Sequence, residues 1–75
     1  MKNKDVEVPQ KRRRFSPEVR RAMILDAAAE IVAREGVSNV SFETISQAAS
    51  ISKSLVYTYF EGVPQLLQEL LKREL

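Results

Sequence analysis

Side chains that could carry acid–base or nucleophilic chemistry are scarce in this sequence. It has no histidine and no cysteine. That removes the usual general base, the commonest metal ligand and the thiolate nucleophile. No glycine-rich loop is present, and no cluster of acids lies on one helical face. An enzyme is therefore not expected, nor a metal or cofactor. What remains is a set of hydrogen-bond donors and cations. Lys53, Ser54, Tyr57 and Thr58 lie within one short stretch, and Lys11, Arg12, Arg13 and Arg14 form a basic run followed by Arg20 and Arg21. Such groups bind rather than catalyse. A lysine can donate to guanine O6/N7 or to a phosphate, and clustered guanidinium groups suit a polyanion.

The donors need a scaffold, and the stretch Ser41–Phe60 (SFETISQAASISKSLVYTYF) provides one. Ser41 is an N-cap type, and Glu43 in the first turn suits the helix dipole. Ile45, Ala48 and Ala49 are spaced as an apolar helical stripe. Ser50, Ile51 and Ser52 break that pattern, and Ser52 can cap a second helix starting at Lys53. In it Val56 and Phe60 share one face, which leaves Lys53, Ser54, Tyr57 and Thr58 largely on the other. Two short helices joined by a tight turn, the second with an exposed polar face, make a helix-turn-helix. Such a unit lays its second helix in the DNA major groove.

The flanking sequence reads as support. Met1 to Gln10 lacks apolar periodicity and reads as a disordered segment; with the basic run it makes an arm of residues 1–15. Phe15 can pack on the first helix or staple its start. Ser16-Pro17-Glu18 is a strong helix start: cap, first-turn proline and an acid for the dipole. The first helix is predicted over 17–35, with Ile24, Leu25, Ala28, Ile31 and Val32 as its apolar face and Ala27 widening it. Glu30 and Arg34 are spaced for an i,i+4 pair. Gly36 is a natural stop, and Val37 to Val40 is a short connection. The helix N-terminus with Arg20 and Arg21 favours a phosphate. The remaining helices are predicted over 42–49, 53–60 and 63–75. Leu66, Leu67, Leu70, Leu71 and Leu75 repeat along the last one. That face closes the core, continues into something outside this chain, or does both.

Seventy-five residues make one domain, near the size at which a single core only just suffices. The fold class is all-α: a small homeodomain-like bundle of three helices and the start of a fourth over 16–75. The net charge of +2 conceals an asymmetry. Through Arg21, eight Lys/Arg face three acids; from Ala22 onward, four face seven. Beside a helix-turn-helix, this basic start reads as a nucleic-acid arm rather than a solvated tail. No apolar run approaches the ~20 residues of a membrane span, and the charged N-terminus has no apolar segment of a secretory signal behind it. A cytoplasmic protein is expected.

The chain from about Arg20 to Leu71 resembles the DNA-binding domain of the TetR family of bacterial transcriptional repressors. ILDAAAEIVAREG (Ile24 to Gly36) is similar to the family's first helix and closing glycine. SFETISQAASIS (Ser41 to Ser52) resembles its second helix and turn, T-x-x-x-I-A-x-x-A-G-V-S. KSLVYTYF (Lys53 to Phe60) resembles its recognition helix, with Val56, Tyr57 and Phe60 supplying the signature. Ser46 stands where the family prefers alanine, and Ser50 where it prefers the turn glycine. Ser54 and Leu55 replace a frequent glycine and a frequent small or hydroxyl residue. Tyr59 sits where histidine is common. Val63 takes the place of a lysine that often binds a phosphate.

The resemblance implies sequence-specific binding to a double-stranded DNA operator, as part of a repressor. It places Lys53, Ser54, Leu55, Tyr57, Thr58 and Tyr59 in the groove. Leu55 meets a thymine methyl or is buried. Tyr57 packs its ring while its hydroxyl reaches a phosphate. Ser41 and Ser52 can offer N–H and hydroxyl groups to phosphates besides capping. Arg12, Arg13, Arg14, Arg20 and Arg21 complete the expected contacts. The resemblance also implies a left-handed Ser50. A whole family member is longer, with a helical C-terminal domain that dimerises and binds a small effector. That ligand-binding and dimerisation domain is not in this sequence. The chain is therefore expected to be monomeric and to bind no effector, while its parent is a homodimer. The competing reading is a small helical protein-interaction module using the leucine-rich last helix.

Overall fold

The computed structural model describes residues 15–74. The segment ahead of them, with Arg12, Arg13 and Arg14, and the terminal Leu75 lie outside the described residues. Among the described residues there are four α-helices and no strand: α1 (Pro17–Glu35), α2 (Phe42–Ala49), α3 (Lys53–Tyr59) and α4 (Val63–Glu74). A 3-10 turn, Val37–Asn39, connects α1 to α2.

Each boundary has a local cause. Ser16 caps α1 by accepting from the Val19 N–H at 3.2 Å, and Pro17 takes the first helical position. Phe15, just before the cap, lies under the Arg20 guanidinium, 5.4 Å from its ring centroid. These are the two positions of a hydrophobic staple, here closed by a cation–π contact. Gly36 ends α1 at φ +94°, a backbone that strains any side chain, and its N–H reaches the Val32 carbonyl. The Asn39 amide then donates to the Glu35 carbonyl at 2.9 Å. The connection to α2 is thus an ordered turn rather than a plain link. Glu30 and Arg34 do not close into the ion pair their spacing allows.

The core forms where the apolar faces meet. α1 contributes Ile24, Leu25, Ala27, Ala28 and Ile31; α2 adds Phe42 and Ile45, α3 adds Val56, and α4 adds Leu66 and Leu70. Val40 and Phe60, from the connections, complete it. Val32, expected in this face, is only partly buried. Ile24, Ile45, Val56, Phe60 and Leu66 are almost wholly occluded. The expected leucine face of α4 divides: Leu66 and Leu70 are buried, Leu67 is half-buried and Leu71 stays exposed.

Helix α3 ends at Tyr59, one residue earlier than its periodicity suggests. Phe60 has left helical backbone, at φ −137° and ψ 138°. That extended residue seats its ring in the core while the chain turns through Glu61 and Gly62 into α4.

Candidate nucleic-acid interface

The helix-turn-helix is built from α2, its turn and α3. Ser41 caps α2 by accepting from the Thr44 N–H at 3.0 Å, and Thr44 Oγ1 accepts from the Ser41 N–H at 3.0 Å. This is a capping box with threonine as the returning partner. Thr44 Oγ1 also donates within this junction, at 2.9 Å to the Asn39 carbonyl. Glu43, the acid in the first turn, is not part of the box. Ser46 is buried, and its hydroxyl donates to the Glu43 carbonyl at 2.8 Å. A serine therefore fits this tight position with its polar group satisfied by its own helix.

Ser50 adopts the expected left-handed backbone, at φ 59° and ψ 44°. The Ile51 N–H bonds the Ser46 carbonyl at 3.0 Å, and the Ser50 N–H bonds the Gln47 carbonyl at 3.3 Å. Together they make a Schellman turn. Ile51 packs against the core after it. Ser52 then caps α3 by accepting from the Leu55 N–H at 3.1 Å. Its hydroxyl also lies 3.2 Å from that of Ser54. Two helix directions are thereby set with one residue in a left-handed conformation.

Helix α3 buries Val56 alone and exposes Lys53, Ser54, Tyr57 and Thr58. The Tyr57 ring packs edge-on against Phe42, centroids 4.6 Å apart, yet the residue remains 57% exposed. A rigid aromatic thus stands at the seam of the two helices. The Thr58 hydroxyl donates to the Ser54 carbonyl at 3.2 Å, which keeps its lone pairs available as acceptors. Leu55 is half-buried. Tyr59 is also half-buried and packs against the core, so it is less available to a groove than its neighbours.

A shallow cleft beside α3 is lined by Ser41, Glu43, Lys53, Tyr57, Glu61 and Val63, among others. Lys53 shares it with two carboxylates, and Val63 adds no charge at the start of α4. The residues expected to attract a polyanion are the basic ones at and before α1. Of these, Arg21 is placed differently from the expected phosphate donor. Its Nη1 donates to Glu69 Oε1 at 2.8 Å and its Nη2 donates to the Tyr59 carbonyl at 3.2 Å. The guanidinium carbon lies 4.7 Å from the Phe60 ring centroid. The two hydrogen-bond partners are 38 and 48 positions away along the chain, and no local motif signals them. Among the described residues, no group of three or more acids forms a metal site.

A four-helix core that presents a capped second helix, a left-handed turn and a polar-faced third helix defines a helix-turn-helix DNA-binding domain. Residues 24–70 match the family described as bacterial regulatory proteins, tetR family, and the chain belongs to that family as its N-terminal DNA-binding domain. It is 35% identical over 51 residues to the HTH-type transcriptional regulator SrpR of Pseudomonas putida, a match that covers 68% of this chain and 24% of that protein. No solved structure matches the chain. The family is one of regulators, not of enzymes. No helix among the described residues is long and apolar enough to cross a membrane.

Proposed function

We propose that this domain reads a double-stranded DNA operator, with α3 in the major groove, as the binding head of a cytoplasmic TetR-like repressor. The observation that carries this reading is the division of α3. Val56 seats it, while Lys53, Ser54, Tyr57 and Thr58 stand outward on a turn whose direction is fixed at both sides. Lys53 serves guanine or a phosphate, Ser54 and Thr58 base edges, and the Tyr57 hydroxyl a phosphate. Leu55 and Tyr59 border this face. Ser41 and Ser52, at the two helix starts, and Arg20 hold the backbone of the duplex. Arg12, Arg13 and Arg14 act as an arm on phosphates. The chain spans about a quarter of its Pseudomonas putida relative's length. We assign dimerisation and effector binding to the remainder of a whole regulator, so this chain is monomeric at micromolar concentration.

Selection from random duplexes, followed by a salt series on the selected site, tests the reading. Deleting residues 1–14 should weaken selected and random duplexes alike. It should also flatten log K against log salt by about 0.9 for each phosphate that is no longer neutralised. Thr58→Ala should instead narrow the gap between selected and random DNA by ~1–3 kcal/mol at an unchanged slope. If the arm deletion leaves the slope intact and Thr58→Ala weakens every duplex equally, α3 is not reading bases. The leucine-rich face of α4 then becomes the working surface.

A further inference from the structure

We propose that Arg21 is a positioning residue that sets the angle of the DNA-reading helix, and not a phosphate contact. This rests on the reading of α3 as the groove-entering helix. Helix α3 has seven residues and one buried side chain. A helix that short has no independent stability, so its direction is imposed from its ends. Its first end is held by the Schellman turn and the Ser52 cap. Its last end is where Arg21 acts.

Three elements converge on this one guanidinium. Nη2 donates to the carbonyl of Tyr59, the last residue of α3. Carbonyls in a last helical turn have no partner within their own helix, and a cation there also opposes the negative end of the helix dipole. The guanidinium carbon lies over Phe60, the cap residue whose ring is anchored in the core. Nη1 pairs with Glu69 on α4. The side chain itself rises from α1. A planar fork can bond two partners and stack on a third at once; an ammonium is a point charge without that geometry. Arg21 thus fixes the far end of α3 against both scaffold helices. The neighbouring Arg20 lies over Phe15 instead, so adjacent arginines separate positioning from phosphate attraction.

The two roles predict different effects of Glu69→Ala on specificity. A phosphate-binding Arg21 would be released when Glu69 is removed, and Glu69→Ala would tighten selected and random duplexes by the same factor, leaving their ratio unchanged. A positioning Arg21 would lose its anchor. Glu69→Ala should then lower the ratio of selected to random affinity about tenfold, the scale of one misaligned base contact. Arg21→Lys keeps the charge and is the conservative control. It should lower the same ratio while leaving the salt slope of the full chain unchanged. Amide exchange without DNA supplies the second readout. In both variants the Phe60 N–H, bonded to the Val56 carbonyl at 3.1 Å, should exchange faster than in the parent chain. The Ile45 N–H in α2, bonded to the Ser41 carbonyl, should not, which separates a local loosening from general destabilisation. The proposal is overturned if Glu69→Ala leaves the ratio of selected to random affinity unchanged, if Arg21→Lys preserves the ratio, or if both amides accelerate together. Should the parent chain select no sequence, the DNA reading itself fails, and the exchange measurement alone decides whether Arg21 holds α3.

Discussion

Helices α2 and α3 are neighbours of almost equal length, yet they are stabilised in opposite ways. In eight residues α2 buries Phe42, Ile45 and Ser46, opens on a reciprocal capping box and closes on a Schellman turn. In seven residues α3 buries Val56, carries one side-chain cap and leaves most of its surface to solvent. The first is fixed along its length by local bonds and burial. The second is held at its ends by residues that belong to other elements. A surface meant to meet a ligand cannot also be spent on the core, so its support must come from beyond the helix.

The strongest way to break this contrast is to remove an end support of α3. Phe60 is about 1% exposed and is the largest fully buried side chain. Truncating such a ring typically costs 3–5 kcal/mol, from forfeited transfer energy and the cavity left behind. In a domain this small that is a large share of the total stability. Phe60→Ala is therefore expected to unfold much of the population in water, and to deprive Arg21 of the ring it stacks on. A urea transition within ~1 kcal/mol of the parent would show that α3 is held some other way.

A smaller effect compares the caps. Ser41→Ala removes one side of the capping box and should cost about 1–2 kcal/mol; Ser52→Ala removes a single cap bond and should cost ~1 kcal/mol or less. More telling is where each effect appears. Ser41→Ala should lower the global urea midpoint, because α2 belongs to the core. Ser52→Ala should mostly raise exchange in the first turn of α3. Equal shifts in the midpoint would mean that both helices fold as one unit and that the contrast is only geometric.

The same contrast governs what the residues reveal before folding. Caps and stops act over three or four residues, so Ser16, Gly36, Ser41 and Ser52 are legible from type and position, whereas the left-handed Ser50 follows only from the family resemblance. The threonine capping box was harder, because Thr44 is not the usual Glu or Gln, and the nearby Glu43 attracted the electrostatic reading. Val37–Asn39 carries no strong 3-10 signal and reads as a link. Buried positions of α1 followed from periodicity, but the exposure of Leu71 did not, since spacing shows a face and not how far the neighbouring core extends. Arg21 was the least legible. Its basic neighbourhood points to a phosphate, while its partners Tyr59, Phe60 and Glu69 come together only in the folded chain. The expected groove residues Lys53 to Tyr59 have defined positions on α3.

The smallest expected effect lies at the joint between the two helices. Ser50 holds φ 59° and ψ 44° to end α2. A left-handed conformation costs a non-glycine residue roughly 1–2 kcal/mol. Glycine would adopt it freely, but it also widens the unfolded ensemble, which offsets up to ~1 kcal/mol. The Ser50 hydroxyl makes no hydrogen bond to any described residue, so no side-chain interaction opposes the change. Ser50→Gly should thus be neutral to mildly stabilising, by about 0–1 kcal/mol, with an unchanged urea slope. Both bonds of the Schellman turn come from backbone groups and survive the substitution. The direction of α3 should therefore persist, and the ratio of selected to random DNA affinity with it. A stable variant with a reduced ratio is the outcome that would count against this. It would mean that restricting the turn to one conformation, and not only anchoring the far end of α3, sets the angle at which the helix meets DNA.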